Sequence, residues 1–313
     1  MITSIFSKSK PVNFIIVFFI MFLAFIIARV ELIKESLSVL YVAKQLGLLL
    51  TCYFTILLLN FIVSKNSLTK LNNYEILLFS LFLLLIPSTT INANILFANF
   101  FMILGLRRIM SLRSQRNEKR KLFDAAFWIA VASLFFFWAI LFFVLILLAL
   151  MLYTDNNIRH WIIPFIGVVT VIVISIGVSV VCYDSFFEVL NISPTSSYDF
   201  SRYNSIMYLV SITTLLSFGA WSSVFYLQNI KKQKRAYRAS FKIIILAGVI
   251  SFIIVLQAPD KSGSEFLFLF APLSIIITNY IETIKEKWFK EVFLSLLAVL
   301  PLVLLVLQFF TKS

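Results

Sequence analysis

The sequence contains few of the residues on which metal enzymes and nucleotide-driven proteins depend. It has one histidine, two cysteines, seven glycines and seven prolines in 313 residues. A single imidazole argues against membrane enzymes whose metals are held by histidine clusters, such as di-iron desaturases. The sequence has no glycine-rich phosphate loop, Walker-type lysine or zinc-ligand spacing, so it does not predict ATP-driven chemistry. Cys52 and Cys182 lie in or beside apolar runs, which favours small buried side chains over a disulfide framework.

Negative charge is also scarce, with 14 acidic residues against 27 basic ones and a net charge of +13. The chain is 61% hydrophobic and only 13% charged, a composition that predicts an integral membrane protein rather than a soluble domain. Its apolar runs are continuous instead of alternating, which favours spanning helices over a β-barrel. The basic surplus lies in short loops beside these runs, where it orients helices and meets anionic lipid. Nucleic-acid binding is therefore not predicted.

The order of apolar runs and polar gaps predicts an all-α, polytopic transmembrane helical bundle with about eleven passes. No long linker separates the runs, so residues 1–313 are expected to form a single membrane-embedded domain. The predicted passes are 13–30, 36–63, 74–86, 92–105, two within 122–153, 161–183, 205–227, 241–257, 266–280 and 292–310.

The segment 122–153 decides the threading of everything after it. As one helix its roughly 32 residues would extend about 48 Å, well beyond a hydrocarbon core of about 30 Å. Two short passes with a bend between Phe135 and Trp138 fit better. They also keep the Lys231–Arg238 cluster on the same side as the other basic loops, whereas a single pass would place it on the opposite side.

This threading divides the 27 basic residues into about 21 on one side and 6 on the other. Because cytoplasmic loops carry the Lys/Arg excess, the N-terminus is predicted inside and the C-terminus outside, in the inner membrane. The six outer residues are Arg29, Lys34, Lys44, Arg202, Lys261 and Lys312.

The most suggestive acids follow the first pass on the outer side. Glu31 and Glu35 are four residues apart and would share one face of a helical turn. A transferase using a lipid-phosphate-linked sugar needs an acidic base or metal ligand there, together with cations that neutralise the leaving phosphate. Arg29 and the intramembrane Lys44 are candidates for those cations, and Lys44 is the most notable candidate for a buried charge. The structural alternative is an ordinary charged turn, with a lysine that extends to the interface.

Three further features carry weaker predictions. Lys261 and Glu265 occupy an outer turn rich in Pro, Gly and Ser, and either contribute to substrate binding or belong to an ordinary tight turn. The segment 186–190 either forms a short amphipathic helix along the outer interface, where it would cap a site that opens toward the membrane, or is an ordinary connector. His160 is expected to anchor the inner interface, and Asp124 to neutralise nearby basic side chains.

Several stretches resemble a family of polytopic membrane proteins of Bacteroidota that has no assigned activity. They are Met1-Ile-Thr-Ser-Ile-Phe-Ser-Lys-Ser-Lys-Pro-Val-Asn13, Asp124-Ala-Ala-Phe with Ala132-Ser-Leu-Phe, Arg159-His-Trp-Ile-Ile-Pro-Phe-Ile-Gly167, and Ser264-Glu-Phe-Leu-Phe-Leu-Phe-Ala-Pro-Leu273. The layout of the chain also resembles multi-spanning, lipid-linked-sugar glycosyltransferases, in which the acid of the first outer loop is often Asp. Here that acid would be Glu31. This second likeness is an analogy at the level of the fold.

Three functions are consistent with these features. The first is a transferase acting on a polyprenyl-phosphate-linked sugar at the outer face, with Glu31 and Glu35 catalytic and with Arg29, Lys44, Lys261 and Glu265 binding substrate. The second is a non-catalytic subunit of a cell-envelope assembly, whose basic inner loops dock a partner protein. The third is a transporter, which the scarcity of glycine disfavours. No cofactor is predicted; a divalent metal is an open alternative that no motif supports. The expected partners are membrane lipids, a lipid-phosphate-linked substrate and a docking protein.

Overall fold

Regular structure in this chain is helical. The computed structural model describes residues 2–30, 38–153, 158–190 and 194–312, the side chains of 308–312 excepted, and within these ranges it contains helices and no strand. Short 3-10 turns lie at Pro87–Thr90, Leu112–Ser114, Phe137–Leu141, Ser201–Tyr203 and Ser264–Phe266. The α-helices are α1 (Ile2–Phe6), α2 (Pro11–Ile27), α3 (Val39–Asn66), α4 (Tyr74–Leu85), α5 (Ala93–Ser111), α6 (Glu118–Phe135), α7 (Phe142–Tyr153), α8 (Ile158–Tyr183), α9 (Ile206–Lys232), α10 (Arg235–Gln257), α11 (Leu267–Thr283) and α12 (Lys287–Lys312).

Seven helices of the described chain are long and apolar enough to cross a membrane. They are α3, α5, α8, α9, α10, α11 and α12, where the spans containing α5 and α11 include the adjoining 3-10 turns. Shorter apolar helices are α2, α4 and α7, the last together with the turn before it. The predicted all-α class is confirmed.

The segment 122–153 folds as two helices that turn back on each other. Helix α6 ends at Phe135, Phe136 is extended (φ −146°, ψ 106°), and α7 starts at Phe142 after a 3-10 turn. At the other end of the pair, Gln115 Nε2, just before α6, donates to the carbonyl oxygen of Tyr153 at 3.4 Å. If this segment were a single helix, Gln115 and Tyr153 would lie at its opposite ends and could not be in contact. The predicted bend between Phe135 and Trp138 is therefore confirmed, and the two membrane passes stay a prediction.

Helix α4 is the centre of the bundle. Each of its twelve residues is buried, and it packs against α2, α3, α11 and α12. Phe79 and Phe82 place their ring centroids 6.0 and 5.6 Å from that of Phe270 on α11. A twelve-residue helix extends about 18 Å, less than the thickness of the hydrocarbon core. Because neighbouring helices surround it, α4 is enclosed by protein along its full length.

Local sequence signals fix where several helices begin. The side chains of Ser38, Asn92 and Ser205 accept backbone N–H groups of the first turns of α3, α5 and α9, as N-cap residues do. Pro11 opens α2, where its missing N–H costs no hydrogen bond. These caps place the helix starts close to the predicted ends of the polar gaps.

The structure decides between two local alternatives and shows that one local prediction is wrong. The segment 186–190 forms bends rather than a short helix, and the side chains of Phe186 and Phe187 are about two-thirds exposed. Cys182 is exposed near the end of α8, while Cys52 is buried in α3 as predicted; both thiols are free. An apolar run shows that a residue lies in a helix, but it does not show whether the side chain faces the protein interior or the surroundings.

Contacts between loops sort the helix ends into two groups. At the end named here the basic end, Arg113 donates to the carbonyl of Asn66 at 2.9 Å, and Asn279 to that of Leu68 at 2.9 Å. At the opposite end, the turn end, Arg29 binds Thr90, and Ser264 binds the carbonyl of Ser88 at 3.1 Å. The predicted inner loops that make these contacts meet at the basic end, and the predicted outer turns meet at the turn end.

Candidate functional site

The polar side chains of the turn end are organised around the 3-10 turn Pro87–Thr90. The turn follows α4 directly, and Pro87 occupies its first position. Thr89 and Thr90 are fully buried, and their hydroxyls donate to the carbonyls of Ile86 (2.7 Å) and Pro87 (3.0 Å). The turn is therefore a fixed point to which other elements attach.

Arg29 attaches the end of α2 to this turn. Its Nη2 donates to the carbonyl of Thr90 at 2.6 Å, and its Nη1 donates to Thr90 Oγ1 at 3.1 Å and to the carbonyl of Phe25 at 3.2 Å. Its Nε donates to Gln45 Oε1 of α3 at 2.6 Å, and the guanidinium lies 3.4 Å from the ring centroid of Phe25.

Gly263 and Ser264 attach the α10–α11 turn to the other side of Pro87–Thr90. Gly263 has φ +86°, and an added Cβ would lie 2.6 Å from Ser88 Oγ and 2.7 Å from the ring of Tyr208. Only glycine tolerates both the left-handed backbone and the close approach. The hydroxyl of Tyr208 also donates to the carbonyl of Ser262 at 2.9 Å.

Glu265 lies beneath this turn and is fully buried. The hydroxyl of Tyr203 donates to one carboxyl oxygen, and the hydroxyl of Ser262 lies 3.4 Å from the other. The Tyr203 ring packs against Phe266, with centroids 5.7 Å apart. The carboxyl is thus held among aromatic rings and hydroxyls.

Lys261 is buried, and its ammonium faces the end of α10. Its Nζ donates to the carbonyls of Val255 at 2.8 Å and Leu256 at 2.7 Å, and it lies 5.0 Å from the ring centroid of Phe200. Terminal helix carbonyls lack intrahelical partners, and a lysine satisfies them. Burial lowers the pKa of the Lys261 ammonium.

The predicted site residues divide into three groups. Arg29, Lys261 and Glu265 lie at the same end of the bundle, and Arg29 and Ser264, the neighbour of Glu265, bind the same 3-10 turn. Lys44 is exposed on the second turn of α3, so its charge is not buried within the protein, and its role in substrate binding stays a prediction. Glu31 and Glu35 lie outside the described residues.

The partners that hold these side chains are distant in the sequence and could not be predicted from it. Gln45 and Thr90 bind Arg29 from 16 and 61 residues away, and Tyr203 binds Glu265 from 62 residues away. The only signal for these partners in the sequence is that they are polar residues in or beside the outer gaps. Every outer gap contains such residues, so the signal does not single these out. In the described chain, no group of three or more His, Cys, Asp or Glu side chains is arranged to hold a metal.

The basic end presents a different kind of surface. A polar hollow of about 590 Å³ is lined by Gln115, Asn117, Glu118, Lys119, Arg120 and His160. His160 Nδ1 lies 3.6 Å from Glu118 Oε2, between the starts of α8 and α6. Asp124 pairs with Arg108 at 3.0 Å, in agreement with its predicted role of neutralising a nearby cation.

An unpredicted acid lies near the basic end, in the first turn of α4. Glu75 is fully buried, and neither carboxyl oxygen has a hydrogen-bond partner in the part of the chain that the structure describes. The side chain of Asn73, just before α4, is likewise buried without a partner among those residues. Glu282 of α11 is close enough to interact electrostatically with Glu75. Glu75 opens a long apolar run, and nothing in its local sequence indicates that the carboxyl is buried.

Residues 1–312 match the family described as "Family of unknown function (DUF6427)", and the chain belongs to that family. Among the curated proteins and the solved structures, nothing matches the chain.

Proposed function

We propose that this member of the family is an inner-membrane protein that crosses eleven times, with its N-terminus inside and its C-terminus outside. Seven long apolar helices support membrane insertion, and the gathering of the basic loops at one end supports the orientation. In a Cys182→Ser background, an impermeant thiol reagent added outside should label Ser196→Cys and leave Arg116→Cys unlabelled. Labelling of Arg116→Cys but not of Ser196→Cys would show that the orientation is the opposite of the one proposed.

Within that membrane, we propose a non-catalytic subunit of a cell-envelope assembly that docks a partner through its basic end. The observation that supports this proposal is that internal contacts hold the basic loops in place while much of their charge stays exposed. Arg113 joins its loop to the end of α3 and the start of α10, since it binds the carbonyl of Asn66 and lies 4.4 Å from the ring centroid of Tyr237. Across the connection between α5 and α6, Lys121 Nζ donates to the carbonyl of Ser111 at 2.7 Å and holds that connection in place.

Orientation of a membrane helix requires only positive charge in a flanking loop. It does not require those loops to form a fixed surface. Here a fixed surface surrounds a polar hollow, and Arg116, Lys119 and Arg120 are exposed on it. An acidic protein surface is the complementary partner, since complementary charge steers encounter and fixes register.

The test is affinity purification from mild detergent after cross-linking in native membranes. A stoichiometric partner should be recovered with the wild type and lost from the triple variant Arg116→Gln, Lys119→Gln, Arg120→Gln. The matched control is Lys8→Gln, Lys10→Gln, Lys287→Gln, which removes the same charge from other exposed positions. Equal recovery from both triple variants would reject docking at this surface.

A transferase acting on a polyprenyl-phosphate-linked sugar is the second candidate, and one observation favours it. Arg29 and the Ser264–Glu265 segment flank a single buried turn, and Glu31 follows Arg29 by two residues. The hydrogen bonds already made by Arg29 and Lys261 weigh against them as phosphate ligands, because substrate would have to replace those contacts. Transfer activity that survives Glu31→Gln at normal expression would reject this candidate.

A further inference from the structure

An apolar groove runs along the seam between α9 and α10. These helices each pack more closely on α11 than on one another, and small residues (Gly219, Ala220 and Gly248) line the opening. One hollow in the groove has a volume of about 520 Å³ and continues into a second of about 300 Å³. Leu227 and Ile245 line both hollows, so together they form one continuous groove.

The groove ends at positive charge. Among the described residues, Lys242 is the only charged one that lines either hollow, and it is exposed at the end nearest the start of α10. The stretch 231–242 holds six basic residues and no acidic one. Arg238 is used to cap α9, donating to the carbonyls of Lys231 and Gln233. The exposed Lys231, Lys232, Lys234 and Arg235 leave a net positive rim.

The length of the groove matches one leaflet of a bilayer. From Phe252, at its far end, to Lys242 is ten residues of α10, or about 15 Å at the helical rise. Half of a hydrocarbon core of about 30 Å is the same length. The wall residues Leu227 (50% exposed) and Val249 (52% exposed) are apolar and open to the surroundings.

We propose that this groove binds a phospholipid with an anionic head group, with one acyl chain along the α9–α10 seam and the head group at Lys242. Binding of an acyl chain is favourable because it buries apolar surface in the groove. A basic side chain adds electrostatic attraction for anionic lipid. A zwitterionic lipid with the same chains gains only the first contribution, so the site distinguishes lipids by head group.

The first test uses the unmodified protein in nanodiscs with phosphatidylglycerol or phosphatidylcholine carrying the same photoactivatable acyl chain. Cross-links should concentrate on residues 215–227 and 242–252, with the anionic lipid favoured about five-fold, as one basic side chain near the head group would give. Lys242→Gln should remove most of that preference. Equal labelling by the two lipids, or labelling spread evenly over exposed helix faces such as that of α8, overturns the proposal.

The second test fills the groove. Ala220→Phe places a ring in the opening at an exposed position, whereas Val224→Phe adds the same ring to an exposed position of α9 that does not line either hollow. Native mass spectrometry should show loss of bound phosphatidylglycerol in Ala220→Phe and retention in Val224→Phe. Equal retention by both variants, or a protein segment found in the groove, overturns the proposal. These readouts are lipid-specific and do not depend on recovery of a docking partner.

Discussion

Replacing Arg29 by methionine tests whether the turn end is held together by this one side chain. The substitution keeps an apolar stem but removes all four hydrogen bonds of the guanidinium. The carbonyl of Thr90 and Oε1 of Gln45 then each lose a donor. A buried acceptor left without its donor costs about 1–3 kcal/mol, which for two acceptors is about 2–6 kcal/mol. Because Gln45 is only half-buried, we expect the lower part of that range, a fall of about 2–4 kcal/mol in the free energy of unfolding. Thermal unfolding in detergent measures the change.

A double-mutant cycle shows whether the loss passes through the turn. Thr90→Val removes the hydroxyl that receives Arg29 Nη1, and its cost should be smaller in the Arg29→Met background by about 0.5 kcal/mol or more. Lys44→Met is the matched control, because it removes an exposed cation at the same end and should change stability by less than about 0.5 kcal/mol. If Arg29→Met were as stable as Lys44→Met, the guanidinium would not be the anchor that its contacts indicate.

Three further substitutions test other parts of the bundle by the same measurement. Gly167→Ala should destabilise by about 1–3 kcal/mol, because its Cβ would lie 2.9 Å from the carbonyl oxygen of Phe123, whereas Gly177→Ala meets no atom within 4 Å and should not destabilise; equal effects would refute the close α6–α8 contact. Glu75→Leu should stabilise by about 1–3 kcal/mol if the buried carboxyl has no partner, and a loss relative to Glu75→Gln would show that water or an ion binds it. Asp124→Asn should cost less than about 1 kcal/mol, since its pair with Arg108 is partly exposed, and a larger loss would contradict that estimate.

Helix positions in this chain could be predicted because the signals are local and strong. Continuous apolar runs and polar gaps locate the helices, and the excessive length of 122–153 indicated the break that occurs at Phe136. The burial of α4 could not be predicted in the same way. An apolar residue suits both lipid and protein surroundings, so hydropathy does not separate a central helix from a peripheral one such as α8.

The candidate site was harder to predict because its geometry depends on distant contacts. The sequence placed Arg29, Lys261 and Glu265 on the outer side, and the structure brings all three to one end of the bundle. It did not show that Lys261 caps α10 or that Arg29 binds a turn 61 residues away. Those contacts follow from how α2, α4 and α10 pack, which a single sequence does not encode locally.

The two ends of the bundle differ in how many of their charged side chains make contacts within the protein. At the turn end, the described charged residues that face the core donate to carbonyls or accept from hydroxyls, since a polar atom near lipid is costly without a partner. At the basic end, Arg113 and Lys121 make such contacts, but Arg116, Lys119 and Arg120 are exposed around a hollow. A partner gains most affinity from charged groups whose contacts within the protein do not have to be broken on binding. For this reason the basic end, rather than the acids and cations of the outer turns, is the surface on which we expect recognition to occur.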